Sequence, residues 1–325
     1  MPTPPTIEDI RAAAERIKPY CLRTPLLESP HLNEIAGTRI LVKPEPLQRT
    51  GSFKFRGAFN TISQLGREAK TGGVVAYSSG NHAQGVAAAA KILGLPAVII
   101  MPEDAPAIKI ANTRYYGAEV ITYHRLNDDR EALGERISEE RGAVLIRPYD
   151  DPRIIAGQGT LGLEIAEDTQ ASGIKLDAVV SPAGGGGLIS GTALAIRSEL
   201  PQTLVYSAEP EGFDDTARSL ASGSRQDNDM EARSICDALL APSPGELTFA
   251  MNRELLEGGL VVSDDEAREA MRQAFLRLKL VVEPGGAVAL AAVLSGKLDC
   301  QGKTVSVVCS GGNVDPQTYA EILAG

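Results

Sequence analysis

Lys54, a lysine placed between two phenylalanines, is the residue of this sequence whose surroundings most favour unusual chemistry. It lies in the segment SFKFRGA over residues 52–58. If the segment is buried, loss of hydration disfavours the ammonium form and lowers the pKa of the amine. A neutral amine can form a Schiff base with an aldehyde. The alternative is a lysine whose stem covers a helix start while its ammonium stays in water.

A second polar motif follows the predicted strand Gly73–Tyr77 directly and opens a helical pattern. Backbone N–H groups at the start of a helix bind anions, here a carboxylate, and hydroxyl and amide side chains can add hydrogen bonds. The alternative is an ordinary N-cap with a structural histidine. The motif consists of Ser78, Ser79, Gly80, Asn81 and His82.

Four consecutive glycines, residues 184–187, lie between the predicted strand Ala178–Ser181 and the predicted helix Leu188–Leu200. Glycines let the backbone wrap closely around a phosphate with its N–H groups converging on the oxygens. No Gly-Lys-Ser/Thr follows, so this is not a Walker loop, and its context differs from that of a dinucleotide-binding motif. The tetraglycine therefore predicts a phosphate site.

Three further features are individually weak. Ser310 closes the predicted strand Thr304–Cys309, where its hydroxyl could meet a ring nitrogen, and Glu283 precedes a Pro-Gly-Gly turn. Glu209 and Asp215 lie in the loop after a predicted strand and could bind Mg²⁺ or Ca²⁺ through their oxygens. The alternatives are a strand-ending turn for Ser310 and a solvated acidic loop for the carboxylates.

Strand-like and helix-like patterns alternate along the chain, which predicts an α/β fold with parallel sheets covered by helices. The block from Gly73 to Ile146 forms a small unit of its own, so a cleft between two units is the expected site. Predicted strands are Arg39–Val42, Gly73–Tyr77, Ala97–Met101, Glu119–Tyr123, Ala143–Ile146, Ala178–Ser181, Leu204–Ser207 and Thr304–Cys309. Predicted helices are His82–Leu93, Pro106–Tyr116, Asp128–Glu140, Ile155–Thr169, Leu188–Leu200, Asp264–Leu278 and Gly286–Leu294.

Composition argues against several classes of function. The 325 residues carry a formal net charge of −10 and no Lys/Arg-rich block, which disfavours nucleic-acid and anionic-membrane partners. The four cysteines lie far apart without a C-x-x-C pair, which argues against a disulfide framework or a zinc site. Because the sequence shows neither a signal peptide nor a membrane-spanning stretch, we expect a cytoplasmic protein.

The order of these motifs resembles that of a known enzyme family. From Arg23-Thr24-Pro25-Leu26 to Asn313-Val314-Asp315, the chain is similar to the threonine dehydratase and serine racemase branch of the fold type II pyridoxal-phosphate enzymes. The resemblance implies a tryptophan synthase β-like fold with two domains, whose parallel-rich twisted sheets are flanked by helices. It implies a large cofactor-binding domain, residues 1–70 and 151–325, and a small substrate-binding domain, residues 71–150. It also suggests a homodimer.

The resemblance further implies roles around pyridoxal 5′-phosphate. Lys54 would form the Schiff base with the cofactor and, once released, serve as the general base. Phe53 would pack against the cofactor ring, Asn81 would bond its phenolic oxygen, and Ser310 would meet the pyridine nitrogen. The other cofactor-binding residues would be Gly184, Gly185, Gly186, Gly187 and Glu283.

The implied reaction is elimination of water from a small 3-hydroxy amino acid, giving a 2-oxo acid and ammonia. A serine beside the pyridine nitrogen cannot supply the charge support of an aspartate, which favours prompt loss of a β-leaving group. Ser79 would be a second catalytic base on the opposite face of the substrate, so racemisation as a side activity stays open. The substrate carboxylate would be held by the motif Ser78, Ser79, Gly80, Asn81 and His82.

The expectation of a bound metal ion also follows from the family resemblance. Glu209, the carbonyl of Phe213, and Asp215 match the spacing of the divalent-cation site in the serine racemase relatives, which implies Mg²⁺ or Ca²⁺. Two properties of relatives, control through a regulatory domain and binding of a nucleotide, are not expected in this protein. The chain ends soon after Ser310, without the regulatory domain of biosynthetic threonine dehydratases. Where the racemases have an asparagine that is associated with nucleotide binding, this chain has the segment Pro148–Asp151.

Other functions remain open from the sequence. A cysteine synthase shares the fold, although the Ser-Phe-Lys-Phe-Arg-Gly motif resembles the dehydratases more closely. A 3-hydroxyaspartate dehydratase shares every motif, and it would need a cation for the second carboxylate, for which Arg130, Arg153 and Arg114 are candidates. A non-catalytic small-molecule binding protein is the alternative from a different class.

Overall fold

The chain forms nine strands in the part that the computed structural model describes, residues 2–124, 127–229 and 231–325. Every pairing between these strands is parallel. The strands are β1 Arg39–Pro44, β2 Val74–Tyr77, β3 Ala97–Pro102, β4 Glu119–Tyr123, β5 Val144–Leu145, β6 Ala178–Pro182, β7 Leu204–Pro210, β8 Gly258–Val262 and β9 Thr304–Cys309.

Fourteen α-helices pack around these strands in the same described ranges, and one of them, α12, continues into a π-helical turn at Ala274–Leu278. The helices are α1 Ile7–Ile17, α2 Pro30–Ala36, α3 Lys54–Ile62, α4 Arg67–Gly72, α5 Asn81–Leu93, α6 Ala107–Tyr115, α7 Arg130–Arg141, α8 Pro152–Ala171, α9 Gly187–Glu199, α10 Asp215–Ser222, α11 Glu246–Leu255, α12 Asp264–Gln273, α13 Pro284–Leu294 and α14 Pro316–Ala324.

The strands form two sheets. A four-stranded sheet has the order β4-β3-β2-β5, and a five-stranded sheet has the order β1-β9-β6-β7-β8. Strands β3, β6 and β9 are almost entirely buried, as expected for parallel sheets with helices on both faces. The α/β class with parallel sheets flanked by helices is confirmed. The boundaries of the two predicted domains stay a prediction.

The strand predictions were close to the observed elements, apart from one omission. All eight predicted strands exist, and Glu119–Tyr123 and Thr304–Cys309 have the predicted bounds. Strand β8 was missed because it begins with two glycines, which are depleted in strands, and pairs only with β7 at the edge of its sheet. The predicted helix Asp264–Leu278 is α-helical only as far as Gln273.

A buried ion-pair cluster anchors helix α3, the helix that begins at Lys54. Arg56 is fully buried, and its guanidinium donates to Glu45 at 2.8 Å and to Glu164 at 2.7 Å. Lys43, also fully buried, donates to Glu164 at 2.6 Å. Two cations therefore balance two anions in the interior, and removing one partner would leave an uncompensated buried charge. The cluster ties α3 to α8 and to the segment after β1.

Among the residues that the structure describes, no helix is long and apolar enough to cross a bilayer.

Candidate active site

Lys54 is the first residue of α3 and points into a cavity between the two sheets. Its ammonium donates to the Pro148 carbonyl at 2.9 Å and lies 5.2 Å from the centre of the Phe53 ring. Burial lowers the pKa of Lys54 to about 8, because the charged form loses its hydration. The structure thus gives this amine the lowered pKa that a nucleophile requires.

Ser310 lies beside the Lys54 motif because the two segments are joined through the backbone. The Phe53 N–H donates to the Ser310 carbonyl at 3.1 Å, and Ser52 and Gly311 form an antiparallel bridge. Ser310 is nearly buried and lines the cavity at the carboxyl end of β9. Its hydroxyl has no hydrogen-bond partner among the described residues, so it is available to a group bound in the cavity.

The tetraglycine forms a loop of unpaired amides. It follows β6, and α9 begins at Gly187, the last of its glycines. In the described ranges, the N–H groups of residues 184–188 have no backbone or side-chain acceptor. All five residues line the cavity. Unpaired amides at a helix start create a site for an anion such as a phosphate.

Only glycine fits at the centre of this loop. Gly186 has a φ of 95°, a conformation that strongly favours glycine. A Cβ on Gly185 would overlap the ring of Tyr149, and a Cβ on Gly186 would approach Thr248 to 2.7 Å. The loop is therefore enclosed by Tyr149 on one side and by the first turn of α11 on the other.

A second helix start faces the same cavity from the four-stranded sheet. Ser78 and Ser79 follow β2, Ser78 accepts from the Gly80 N–H at 3.1 Å, and α5 begins at Asn81. Among the described residues, the N–H groups of residues 79 and 81–83 have no acceptor. The predicted carboxylate-binding motif thus supplies a cluster of free amides. Ser78, Ser79, Asn81 and His82 line the cavity, whereas Gly80 does not.

Asn81 is held in one orientation by two neighbours. Its side-chain carbonyl accepts from Asn313 at 2.9 Å, and its Nδ2 donates to Glu283 at 2.5 Å. Glu283 is fully buried behind Asn81 and does not line the cavity, and its predicted contact with the cofactor stays a prediction. Burial raises the pKa of Glu283, and the Lys109 ammonium at 3.5 Å opposes that rise.

His82 contributes through its backbone, because its side chain is already engaged. Its Nε2 lies 3.0 Å from the Ile146 carbonyl, so this nitrogen carries the proton and donates. Burial and the nearby charge of Lys54 lower the pKa of His82 to about 3, which keeps the ring neutral. The remaining Nδ1 is buried without a partner and can only accept. A neutral acceptor does not bind a carboxylate, so the predicted carboxylate site would depend on the amides of α5.

These groups surround one cavity, which both sheets help to line. Phe53, Lys54, Ser79, Asn81, the four glycines and Ser310 all line it. Of the three arginines considered for a second carboxylate, Arg130 lines the cavity, with its guanidinium carbon 5.6 Å from the centre of the Tyr77 ring. Arg114 and Arg153 are exposed and do not line it.

The predicted metal ligands lie away from this cavity. Glu209 is fully buried and accepts from the N–H groups of Thr216 and Ala217 at 2.9 and 2.8 Å. Asp215 accepts from Asn228, but its Oδ2 is buried without a partner. Burial, with repulsion from Asp215, raises the pKa of Glu209 to about 8. In the described parts of the chain, no group of three or more His, Cys, Asp or Glu side chains could hold a metal.

Comparison with known proteins agrees with this geometry. Residues 17–311 match the family described as pyridoxal-phosphate dependent enzyme. The chain belongs to this family. An L-threo-3-hydroxyaspartate ammonia-lyase of Saccharomyces cerevisiae is 45% identical, with 99% of this chain and 97% of the relative covered. A serine racemase of Schizosaccharomyces pombe is 42% identical, with 98% of each covered. The crystal structure of a threonine deaminase from T.th. superposes with a TM-score of 0.90 at 46% identity, covering 96% of this chain and 99% of the other.

Three features of the cavity fit pyridoxal phosphate independently of the comparison with known proteins. A lysine of lowered pKa can hold an aldehyde, and the unpaired amides of the glycine loop can hold a phosphate. The free hydroxyl of Ser310 can accept from or donate to a ring nitrogen. The family resemblance stated from the sequence is thus confirmed, while the individual residue roles stay predictions.

Sequence reasoning missed several residues of the cavity wall. Lys109 of α6 donates to Asp237 at 2.6 Å and lines the cavity beside it. Pro148 and Tyr149 meet Lys54 and the glycine loop, although they were considered only in connection with nucleotide binding. No local pattern marks Lys109, because its partner lies 128 residues further along the chain.

Proposed function

We propose that this pyridoxal-phosphate dependent enzyme is an ammonia-lyase that removes water from a small 3-hydroxy amino acid. The products are a 2-oxo acid and ammonia. One observation carries the proposal: the half-buried Lys54 shares a single cavity with two separate helix starts whose amides are unpaired. One helix start suits the cofactor phosphate, and the other suits the carboxylate of an amino acid.

The cofactor, when bound, supplies an electron-withdrawing ring that makes the Cα proton of an amino acid removable. The chain provides the proton carriers and the positioning. With a pKa of about 8, the Nζ of Lys54 can take up and release a proton near neutral pH. Amides of α5 and α9 hold two anionic groups, which fixes the substrate between them. Ser79 lines the same cavity and is the proposed second base.

In the complete reaction, removal of the Cα proton and the β-hydroxyl releases one water, and a later hydrolysis consumes one water and releases ammonia. Ser310 supports elimination, since a neutral hydroxyl near the ring nitrogen gives less charge support than a carboxylate would. The same two bases on opposite faces would also permit racemisation. The assay should therefore also measure racemisation of the amino acid as a side activity.

Among the possible substrates, Arg130 favours 3-hydroxyaspartate as the specific candidate. Arg130 lines the cavity, and among the described residues it has no ion pair. A planar guanidinium suits the second carboxylate of such a substrate. The relative from Saccharomyces cerevisiae is named for this activity.

The test is release of 2-oxo acid from L-serine, L-threonine and the stereoisomers of 3-hydroxyaspartate by the purified holoenzyme. Borohydride reduction followed by peptide mapping should place the cofactor on Lys54. Arg130→Met should reduce turnover of 3-hydroxyaspartate far more than that of serine, and Arg153→Met serves as the matched exposed control. Failure to release 2-oxo acid from any of these compounds would overturn the lyase proposal, whereas equal losses on both substrates would remove only the role of Arg130.

We also propose that Mg²⁺ or Ca²⁺ binds between Glu209, the Phe213 carbonyl and Asp215. The support is geometric: two buried carboxylates lie at one loop, and one of their oxygens has no partner. Oxygen ligands of this kind suit hard cations. A bound ion would raise the melting temperature of the folded state. Identical melting temperatures with EDTA and with millimolar Mg²⁺ or Ca²⁺ would contradict this site.

Three broader expectations from the sequence stay proposals: a homodimer, a cytoplasmic location and the division into two domains. The dimer is supported by exposed apolar side chains close together in sequence, Phe275, Leu276 and Val281. The net charge of −10 supports the absence of nucleic-acid and membrane partners. Light scattering coupled to size-exclusion chromatography would measure the mass, and a monomer would contradict the dimer.

A further inference from the structure

Asp150 has a backbone conformation that calls for an explanation. Its φ is 51°, in the left-handed region, and it is one of three non-glycine residues with positive φ among those described. Aspartate tolerates this region better than most residues, but glycine adopts it more readily. Such conformations persist where surrounding contacts hold them and cluster at functional sites. The contacts of the Asp150 side chain show what holds it.

The Asp150 carboxylate caps a helix that lies about a hundred residues further along the chain. Its Oδ2 accepts from the Glu246 N–H at 3.1 Å and its Oδ1 from the Thr248 N–H at 3.0 Å, both in the first turn of α11. The residue that precedes α11, Gly245, has no side chain to cap it. A Cβ at Gly245 would overlap the carboxylate, so this site is shaped for Asp150. An anion is favourable at a helix start.

The same turn of α11 holds the glycine loop. The Thr248 hydroxyl donates to the Gly185 carbonyl at 2.7 Å, and the Gly245 N–H donates to it at 3.2 Å. Because a trans peptide is planar, fixing the Gly185 carbonyl toward Thr248 turns the Gly186 N–H to the opposite side. That N–H is one of the unpaired amides of the loop.

The two residues before Asp150 connect it to Lys54 and to the glycine loop. Tyr149 packs directly against Gly185, and the Pro148 carbonyl accepts from Lys54 at 2.9 Å. One turn of three residues therefore contacts both the reactive amine and the loop of free amides. The side chain of Asp150 anchors that turn to α11.

We propose that Asp150 is a positioning residue that locks the glycine loop and the Lys54 acceptor into one arrangement by capping α11. Asp150 itself does not line the cavity. The inference rests on the proposed phosphate role of the glycine loop, because the arrangement matters only if that loop binds the cofactor.

The test compares the dissociation constant of pyridoxal phosphate, measured by equilibrium dialysis on the resolved full-length protein, among four variants. Asp150→Gly removes the carboxylate and relieves the left-handed backbone, so it isolates the capping role. We expect its dissociation constant to rise about tenfold, which corresponds to about 1.4 kcal/mol. Asp150→Asn keeps an acceptor and should stay within about threefold of the parent. Thr248→Val should weaken binding as Asp150→Gly does.

Asp315→Ala is the matched control, because Asp315 also caps a helix, α14, by accepting from two N–H groups of its first turn. It should lower the melting temperature but leave the dissociation constant unchanged. Parent-like binding by Asp150→Gly would overturn the proposal, as would a loss that scales only with melting temperature across all variants. If Asp150→Gly does not fold, parent-like binding by Thr248→Val overturns it. A parent protein that does not bind the cofactor would instead refute the proposed function.

Discussion

The half-buried amine of Lys54, whose pKa is lowered, should destabilise the cofactor-free protein, and Lys54→Met tests this directly. In the unfolded chain this group has an ordinary lysine pKa, near 10.5, whereas burial lowers it to about 8 in the folded state. Below pH 8 both states carry the charge, but in the folded state the charged amine has lost part of its hydration. Methionine has a similar length and no charge, so it fills the space without that penalty.

The size of the effect follows from the two pKa values. The unfolded state binds more protons than the folded state between about pH 8 and 10.5, so stability due to this group rises with pH across that window. Below pH 8 the full difference applies, about 3 kcal/mol at 1.36 kcal/mol for each pKa unit. Loss of the bond to Pro148 offsets part of the gain, since a hydrogen bond of this kind contributes about 1 kcal/mol.

Urea unfolding of the cofactor-free protein at pH 7 and pH 10 provides the measurement. Lys54→Met should be more stable than the parent at pH 7, by about 2 kcal/mol after that offset. The advantage should shrink or reverse at pH 10. Lys18→Met, at a side chain that is 73% exposed, should show neither effect. A Lys54→Met protein that is less stable than the parent at pH 7, or a difference that does not change with pH, would refute the reasoning.

Three further perturbations should each have a distinct result. Gly185→Ala places a Cβ against the ring of Tyr149 and should abolish retention of the cofactor on dialysis, detected by loss of its absorbance. Arg56→Met should lower the free energy of unfolding by about 3–5 kcal/mol, measured in urea, because it leaves buried carboxylates uncompensated. Lys109→Met should weaken cofactor binding in dialysis by leaving Glu283 without its cation, and adding Glu283→Gln should restore part of the affinity.

The parts of this protein that the sequence predicts well are those encoded by neighbouring residues. Strands such as Ala97–Pro102 are continuous apolar runs, so their period and length identify them without tertiary information. The glycine loop and the Ser78–His82 motif were recognisable because each joins a strand to a helix within a few residues. Loops of that type place backbone amides predictably at the carboxyl ends of parallel strands.

The parts that escaped prediction depend on contacts between distant segments. The hydrogen bond between Glu283 and Asn81, which are 202 residues apart in sequence, was not predicted. The cap that Asp150 provides for α11 joins residues 96 and 98 positions apart, and neither end has an unusual local pattern. Likewise, the sequence could not reveal which of Arg114, Arg130 and Arg153 lines the cavity, since the lining depends on contacts between distant segments.

Among the described residues two lysines, Lys54 and Lys109, line the cavity, and their partners explain why only Lys54 suits an aldehyde. Burial alone would lower the pKa of Lys109, but Glu283 and Asp237 raise it above its ordinary value, so this amine stays charged and unreactive. Lys54 meets a neutral carbonyl instead, and burial lowers its pKa to about 8. At pH 7 about one Lys54 in ten is then neutral, roughly 300-fold more than for a lysine of ordinary pKa. A carboxylate in place of the Pro148 carbonyl would hold the proton and remove this advantage. The choice of acceptor therefore selects the reactive lysine as much as burial does.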